Sequence, residues 1–400
     1  MNLPKQSYNK NILMISISFS PIIGGVETYL NDLCTYLTNR DHHVWVITYG
    51  PITAKMNVPA MEQKGNLTVY RIPWFSPRLF ERLEQNPLFE VIYLFPALYF
   101  RTMFFLLFSG ENIDVLLTHG IVSSLAGKFA KPFFRKRTVA TVHTIYYLNR
   151  KPLLGRIFAW VLKSCNSVLF VSNKIRDEFA SFGIESSKSI VFTYWADSAR
   201  FKPMNKETAK EMFNWNEKFI VLFVGRLIKD KGADVLVKTA RITDKRIYFA
   251  FITSGTYEEF RALVGYDLPA NVIFVGPVDY SKLHLYYNAA DIFVLPSQGR
   301  EGFSRAVLEA ALCGTPVVAS NVGCLSEVVN SNIGKLVDPP TSECFRKIIE
   351  YYWVNRDELE RLSVLCAKYA HEHFTENNAV IVEEGYLGEK SIALQPVKES

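Results

Sequence analysis

The stretch DIFVLPSQGREGFSRAVLEAALCGTPVVAS, Asp291 to Ser320, contains one complete repeat of an α/β fold. An apolar run ends at Pro296-Ser297, and a glycine-bearing loop follows. The spacing predicts a helix from about Phe303 to Cys313, which Gly314 stops before Pro316 opens the next apolar run. Neither apolar run alternates with polar residues, as expected of strands covered on both faces by helices.

The same unit recurs in both directions. Upstream, ILMISISF, HVWVITY, LTVYRI, IDVLLTH, TVATVHT and SVLFVS read as strands, and KFIVLFVG restarts the pattern. IYFAFITSG, NVIFVG, DIFVLPS, TPVVAS and KLVD complete the second series. Two successive β/α series predict an α/β chain of two doubly wound, Rossmann-like domains facing a central cleft at the carboxyl ends of their strands. The seam falls near residues 193–218, where apolar density drops.

Composition agrees with two buried cores. The 400 residues are 49% hydrophobic and 14% aromatic, which excludes a disordered chain. The net charge of +6 is uneven: residues 1–200 hold 22 Lys/Arg against 13 Asp/Glu, and residues 201–400 hold 23 against 26. A basic first half suits an anionic partner. The six cysteines are scattered without a C-x-x-C pair, so no zinc or disulfide framework is expected and a reducing compartment fits. Near the N-terminus, Lys5 and Lys10 precede the apolar run ILMISISF, but that run continues into PIIGG rather than a small-residue cleavage site, and it reads as a first strand. The run Leu88 to Phe108 is long enough to cross a bilayer, yet Glu90, Pro96 and Arg101 interrupt it. A core or membrane-surface helix is expected there.

Several constellations carry chemistry. Gly24-Gly25, followed by Glu27, directly succeed the first strand and let backbone approach a ligand at a helix start. Neither G-x-G-x-x-G nor G-x-x-x-x-G-K-[ST] occurs, which disfavours NAD enzymes and P-loop NTPases. In VGRLIKDKG, Arg226 and Lys231 stand five apart on a strand-to-helix connection and suit a diphosphate, although two solvated loop cations would look the same. His119 and His143 end two strands of the first half, and there is no D-x-D pair to hold a metal. Glu301 and Glu309 lie eight apart. Paired glycosidase carboxylates stand about 5–9.5 Å apart. Eight residues of helix would separate these two by roughly 12 Å, so two acids gripping different parts of an extended ligand fit better than an acid/base pair. The amides of Phe303 and Ser304 would face a phosphate at the helix start.

Together, P-x-x-GG-x-E, GRL-x-x-x-KG and EGF-x-x-x-x-LEA-x-x-CGTPVVAS resemble the retaining GT-B glycosyltransferases of family 4 (glycosyl transferases group 1) over nearly the whole chain. The resemblance implies a GT-B fold and transfer of a sugar from a UDP- or GDP-sugar, with retention, to a glycan or lipid-linked acceptor in polysaccharide or glycolipid biosynthesis. It implies no cofactor and no metal. Gly24 and Gly25 would approach the donor diphosphate and the acceptor, and Arg226 and Lys231 would neutralise the diphosphate. Glu301 and His143 would meet the sugar, Gly302, Phe303 and Ser304 the distal phosphate, and Glu309 the ribose. Ser254, Gly255, Gly276 and Val278 would line the base, with Glu27 and His119 toward the acceptor. Domains are expected at 1–195 for the acceptor and 217–374 for the donor, with a linker at 196–216 and a segment at 375–400 packing back on the first domain. Departures fall at Tyr194-Trp195-Ala196-Asp197 for the usual N-G-V-D, at Thr144 where Asp is common, at Ser304 for Gly or Cys, and at Asp41-His42 for Gly-His. The basic first domain, its aromatic run 88–108 and FFRKR at Phe133 to Arg137 suggest peripheral docking on an anionic membrane at its cytoplasmic face, and no nucleic-acid partner. A nucleotide-sugar epimerase of the same fold and a non-catalytic sugar-nucleotide-binding protein are the rival readings.

Overall fold

The computed structural model describes residues 9–388 except Ile23, 54–55, 75–78, 81–82, 84–86 and Arg300. Lys5 and residues 389–400 of the expected C-terminal segment lie outside the described residues. The chain forms two compact units: one runs up to His143, then takes in Tyr147–Phe192 and the chain from Ala379 on, and the other comprises Thr144–Tyr146 and Thr193–Asn378.

The first unit holds a sheet of eight strands: β1 (Asn11–Ser16), β2 (His43–Tyr49), β3 (Met61–Lys64), β4 (Leu67–Ile72), β5 (Val115–His119), β6 (Arg137–Val142), β7 (Ser167–Phe170) and β8 (Ser189–Val191). Their order is β3-β4-β2-β1-β5-β6-β7-β8, parallel throughout except for β3 against β4. The six unalternating apolar runs of the first half are the six inner strands. The two edges, β3 (MEQK, exposed along its length) and β8 (SIV), were not legible in the sequence. An edge strand needs no apolar face, and charge there discourages pairing with another chain.

The second unit holds β9 (Phe219–Gly225), β10 (Ile247–Thr253), β11 (Val272–Gly276), β12 (Ile292–Leu295), β13 (Val317–Ser320) and β14 (Gly334–Val337), ordered β11-β10-β9-β12-β13-β14 and all parallel. Each corresponds to one predicted run. Both sheets are thus doubly wound, and in each the strand order reverses beside the first strand of the unit, where such folds place ligands at the carboxyl edge.

Residues 196–216, expected as a linker, belong to the second unit. Asn205 caps the short helix Lys206–Glu211, Trp215 is buried, and the Lys210 ammonium reaches the buried Asp291 carboxylate at 2.7 Å. At the other end, the helix Asn378–Leu387 returns to the first unit. Its Glu383 carboxylate accepts from Tyr36 Oη (2.8 Å), Arg40 Nε (2.9 Å) and His42 Nε2 (3.0 Å). His42 Nδ1 accepts from the Lys10 amide at 3.1 Å, which fixes the ring proton on Nε2, pointing at Glu383.

The run 88–108 is one helix, Pro87–Phe108, packed on the first sheet. Leu94, Leu98 and Phe105 enter a core with Leu13, Ile15, Trp45 and Ile47.

Candidate active site

Two loops of the second unit meet at the carboxyl edge of its sheet. One follows β9 and carries Arg226 to Gly232; the other follows β12 and carries Pro296 to Gly302. The Gln298 amide donates to the Asp230 carbonyl at 2.8 Å, tying them together. Gly232 sits at φ +72°, and a Cβ there would lie 1.9 Å from the Pro296 carbonyl oxygen. Only glycine permits this approach. Gly323 does the same on the far side: at φ +57° its Cβ would fall 1.9 Å from the Glu301 carbonyl oxygen, to which the Cys324 amide donates at 3.0 Å. The Glu301 backbone is therefore held by Gly323 and Cys324, and the loop leading to it by Gly232 against Pro296.

That fixing presents its side chain. The Lys231 ammonium donates to both Glu301 carboxylate oxygens at 2.8 Å, and Ser297 Oγ donates to Oε2 at 2.7 Å. The Glu301 side chain is buried (6% exposure) while the Lys231 side chain keeps 20%. Arg226 is exposed beside this pair along the chain.

Glu309 occupies a separate station. The helix that carries it runs Arg305–Leu312 with Ser304 as its N-cap, two residues later than the predicted start, because Glu301 to Ser304 are held extended against the 322–324 turn. The helical-rise argument for separating the two acids therefore does not apply to the first half of their spacing. They are separated by their partners instead. Glu309 accepts from Tyr280 Oη (3.0 Å) and Tyr287 Oη (3.1 Å) and lies 3.7 Å from the Arg305 guanidinium. Glu301, by contrast, is held by Lys231 and Ser297. Arg305 is itself buried, donating to the Trp195 carbonyl (2.8 Å) and Tyr280 Oη (3.1 Å). Burial, and then the Glu309 charge, push the Tyr287 phenol well above its ordinary range, so it stays a donor. The later helix start also moves the uncapped first-turn amides to Arg305 and beyond: Ser304 accepts no side-chain cap bond there.

The other second-unit positions expected to line the base lie along the same edge. Ser254-Gly255 follow β10, Gly276 ends β11 at φ +81°, and Val278 follows it; β10 lies between β9 and β11. Tyr280, Tyr287, Arg305 and Ser297 were not singled out from the sequence. Arg305 had a signal, standing one helical turn before Glu309; the tyrosines reach Glu309 only through the fold.

Gly24, Gly25, Glu27, His119 and His143 belong to the first unit. Gly24 caps the helix Gly25–Asn39, and the Glu27 carboxylate accepts from Ser18 Oγ at 2.6 Å. His119 ends β5, and His143 follows β6. Their rings stack at 5.3 Å, with Nδ1 of His119 hydrogen-bonded to Nε2 of His143 at 3.1 Å, and Tyr29 packs on His143 at 5.4 Å. Both rings are buried, which lowers His143 to about 3 and, with the His143 neighbour adding to burial, puts His119 well below the usual histidine value. Both are therefore neutral in the folded chain. An unfolded histidine takes up a proton below about 6.5 and these two resist it, so stability is full above that pH and falls as the pH drops toward 3. Each ring contributes at most ~1.4 kcal/mol per pH unit. Urea midpoints between about pH 7 and pH 5 are expected to fall in the wild type and to fall less in His143→Gln; equal slopes would contradict the buried neutral pair.

Residues 205–368 match the family model described as Glycosyl transferases group 1, and residues 23–193 match Glycosyltransferase Family 4. The chain is 25% identical over 330 residues to the phosphatidylinositol N-acetylglucosaminyltransferase GPI3 subunit of Saccharomyces cerevisiae, covering 80% of this chain and 70% of that protein. Its fold superposes on a sucrose-phosphate synthase of Thermosynechococcus elongatus with a TM-score of 0.79 at 21% identity, over 95% and 99% of the two chains. The chain belongs to the GT-B glycosyltransferases. An Anabaena transferase-fold protein, HepE, solved with UDP and glucose, superposes at 0.74 with 18% identity over 95% of this chain and 99% of that one. In this transferase, then, the two laced loops and the Glu309 cluster lie in the part that matches glycosyl transferases group 1, and the histidine pair lies in the part that matches family 4.

Proposed function

We propose that this transferase moves a sugar from a nucleoside diphosphate sugar to a lipid-linked or glycan acceptor, with retention and without a metal, in building a surface polysaccharide or glycolipid at the cytoplasmic face of a membrane. The observation that carries it is the Lys231–Glu301 pair at 2.8 Å, held at the carboxyl edge of a parallel sheet beside an uncapped helix start. An ammonium, the Arg226 guanidinium and the positive end of the Arg305–Leu312 helix together offer positive charge for a departing diphosphate. Glu301 supplies an acceptor for sugar hydroxyls, and Glu309, presented by two tyrosines, for the ribose. His143, neutral by burial, accepts or donates a hydrogen bond to the sugar without adding charge. Retention follows, on this reading, from a front-face displacement in which the leaving phosphate helps deprotonate the acceptor. Two relatives support the acceptor and donor classes: the Saccharomyces cerevisiae one is a phosphatidylinositol N-acetylglucosaminyltransferase subunit, and HepE was solved with UDP and glucose.

A panel of UDP-, GDP- and ADP-sugars tests this. One donor is expected to raise the melting temperature and be slowly hydrolysed, with Glu301→Ala and Arg226→Ala losing at least tenfold in hydrolysis, or about 1.4 kcal/mol. If no donor binds, or both variants match the wild type, the reading fails. Interconversion of the free sugar nucleotide without any transfer would favour an epimerase instead.

A further inference from the structure

Three helices of the first unit, Pro87–Phe108, Ile121–Phe134 and Pro152–Leu162, carry an apolar surface that the fold leaves uncovered. Of the 24 exposed large apolar side chains among the described residues, 13 lie on these helices. Scattered exposure is ordinary; concentration of this kind marks an interaction face. Along Pro87–Phe108, Phe89, Ile92, Phe100, Phe104 and Phe108 recur at helical spacing on the outer side, with Phe100 68% and Phe108 70% exposed. A helix lying on a water-facing surface carries charge there. This helix has only Glu90 and Arg101, and the Arg101 guanidinium lies over the Tyr70 ring of the sheet at 4.8 Å.

The three helices present one continuous face. Phe129 of the second helix packs on Phe95 of the first at 5.6 Å and on Trp160 of the third at 6.4 Å. On the third helix Leu153, Arg156, Ile157 and Trp160 follow three- and four-residue spacing, which sets Arg156 among exposed apolar neighbours. The Lys128 ammonium stands 3.9 Å over the Trp160 ring.

Charge decides what covers this face. Between Asp114 and Asp177 the chain has 11 Lys and Arg and no acidic residue. A second copy of the chain would bring cations against cations. A bilayer with anionic headgroups takes both features at once, with aromatic and aliphatic groups at the acyl boundary and long cationic side chains reaching phosphate. We infer that this three-helix face docks the transferase on an anionic lipid surface, with the helices lying in the plane of the interface. The helix Pro87–Phe108 passes the length and apolarity expected of a span, with 22% of its apolar window buried. Crossing would tear Leu94, Leu98 and Phe105 out of the sheet's core, so lying on the surface is the state the fold allows. The inference extends the proposed function and uses none of the donor-site residues.

The test is cosedimentation of the full chain with vesicles of phosphatidylcholine alone and of phosphatidylcholine with phosphatidylglycerol, at low and high salt. Binding is expected to the anionic vesicles at low salt, about tenfold weaker to the neutral ones, and weakened by salt. The triple variant F100S/F104S/F133S changes exposed positions and is expected to keep the wild-type melting temperature while losing about tenfold in binding. The charge variant K151E/R156E is expected to bind less at low salt and to show a flatter salt dependence. No sedimentation with either vesicle at low salt would overturn the inference, as would a triple variant that binds like the wild type. So would a dimer in solution that the triple variant converts to monomer, since the face would then belong to a second copy. Donor stabilisation measured in parallel separates the two proposals: donor binding without vesicle binding overturns docking alone, and vesicle binding without any donor overturns the donor reading alone.

Discussion

Lys231→Ala is expected to lower kcat/KM for transfer by about a hundredfold to a thousandfold, the range for losing one preorganised group facing developing charge. The same variant leaves the Glu301 carboxylate, 6% exposed, with Ser297 as its recorded donor. Removing one partner of a buried pair costs about 3–5 kcal/mol; the 20% exposure of the Lys231 side chain reduces that here to about 2 kcal/mol. Glu301→Ala removes the buried charge instead and frees an ammonium that water already reaches, so its stability cost is expected near ~1 kcal/mol. The two variants should thus rank alike in lost activity and unequally in stability, with Lys231→Ala the less stable. Thermal melts of both proteins without ligand, paired with initial rates on the donor found by the panel, check this. Transfer within a few-fold of wild type in Lys231→Ala, or the opposite ranking of melting temperatures, would refute the role of the pair. Lys231→Arg should not rescue transfer, because a planar guanidinium fork cannot reproduce the compact ammonium that reaches both Glu301 carboxylate oxygens at 2.8 Å.

The second large effect lies in the first unit. Glu383→Ala is expected to destabilise the first unit by about 3 kcal/mol, since Tyr36, Arg40 and the buried His42 lose one shared acceptor. Burial raises the Glu383 carboxyl, but the hydrogen bonds from His42, Tyr36 and Arg40 together outweigh it, and the group ends below the ordinary value of 4.5. A depressed carboxyl contributes stability above its unfolded value and loses it as the pH falls through the folded one, so the clamp is complete at neutral pH. Hydrogen exchange is the suitable measurement: in Glu383→Ala the amides of the helix Asn378–Leu387 should exchange faster than those of β1, which stays at the sheet centre. Unchanged protection of that helix would show that apolar packing of Ala379, Val382 and Tyr386 suffices to hold it.

Twelve strands were legible in the sequence: ten are inner strands of a parallel sheet, which need apolar residues on both faces, and the second sheet's edges β11 (VIFVG) and β14 (GKLV) still carry apolar side chains. The edges β3 and β8 were not, because one side of an edge meets water and polar residues serve there. Arg226, Lys231, Glu301 and Glu309 were legible as motifs, the first three in loops that follow a strand and Glu309 within the helix Arg305–Leu312. What held them was not. Gly232 against Pro296 and Gly323 against Glu301 are contacts across many residues of chain, and no local pattern reports a carbonyl 1.9 Å from an absent Cβ.

By itself, then, the sequence determined the two doubly wound sheets and which residues stand at their carboxyl edges, because hydrophobic periodicity and glycine placement are local properties. Only the tertiary structure decided that Glu301 rests against Lys231, that Tyr280, Tyr287 and Arg305 surround Glu309, and that His119 and His143 share one hydrogen bond. It also decided which side of the helix Pro87–Phe108 is core and which is left bare, for a helix apolar almost all round, with only Glu90 and Arg101 charged, gives no periodicity from which a buried face can be read.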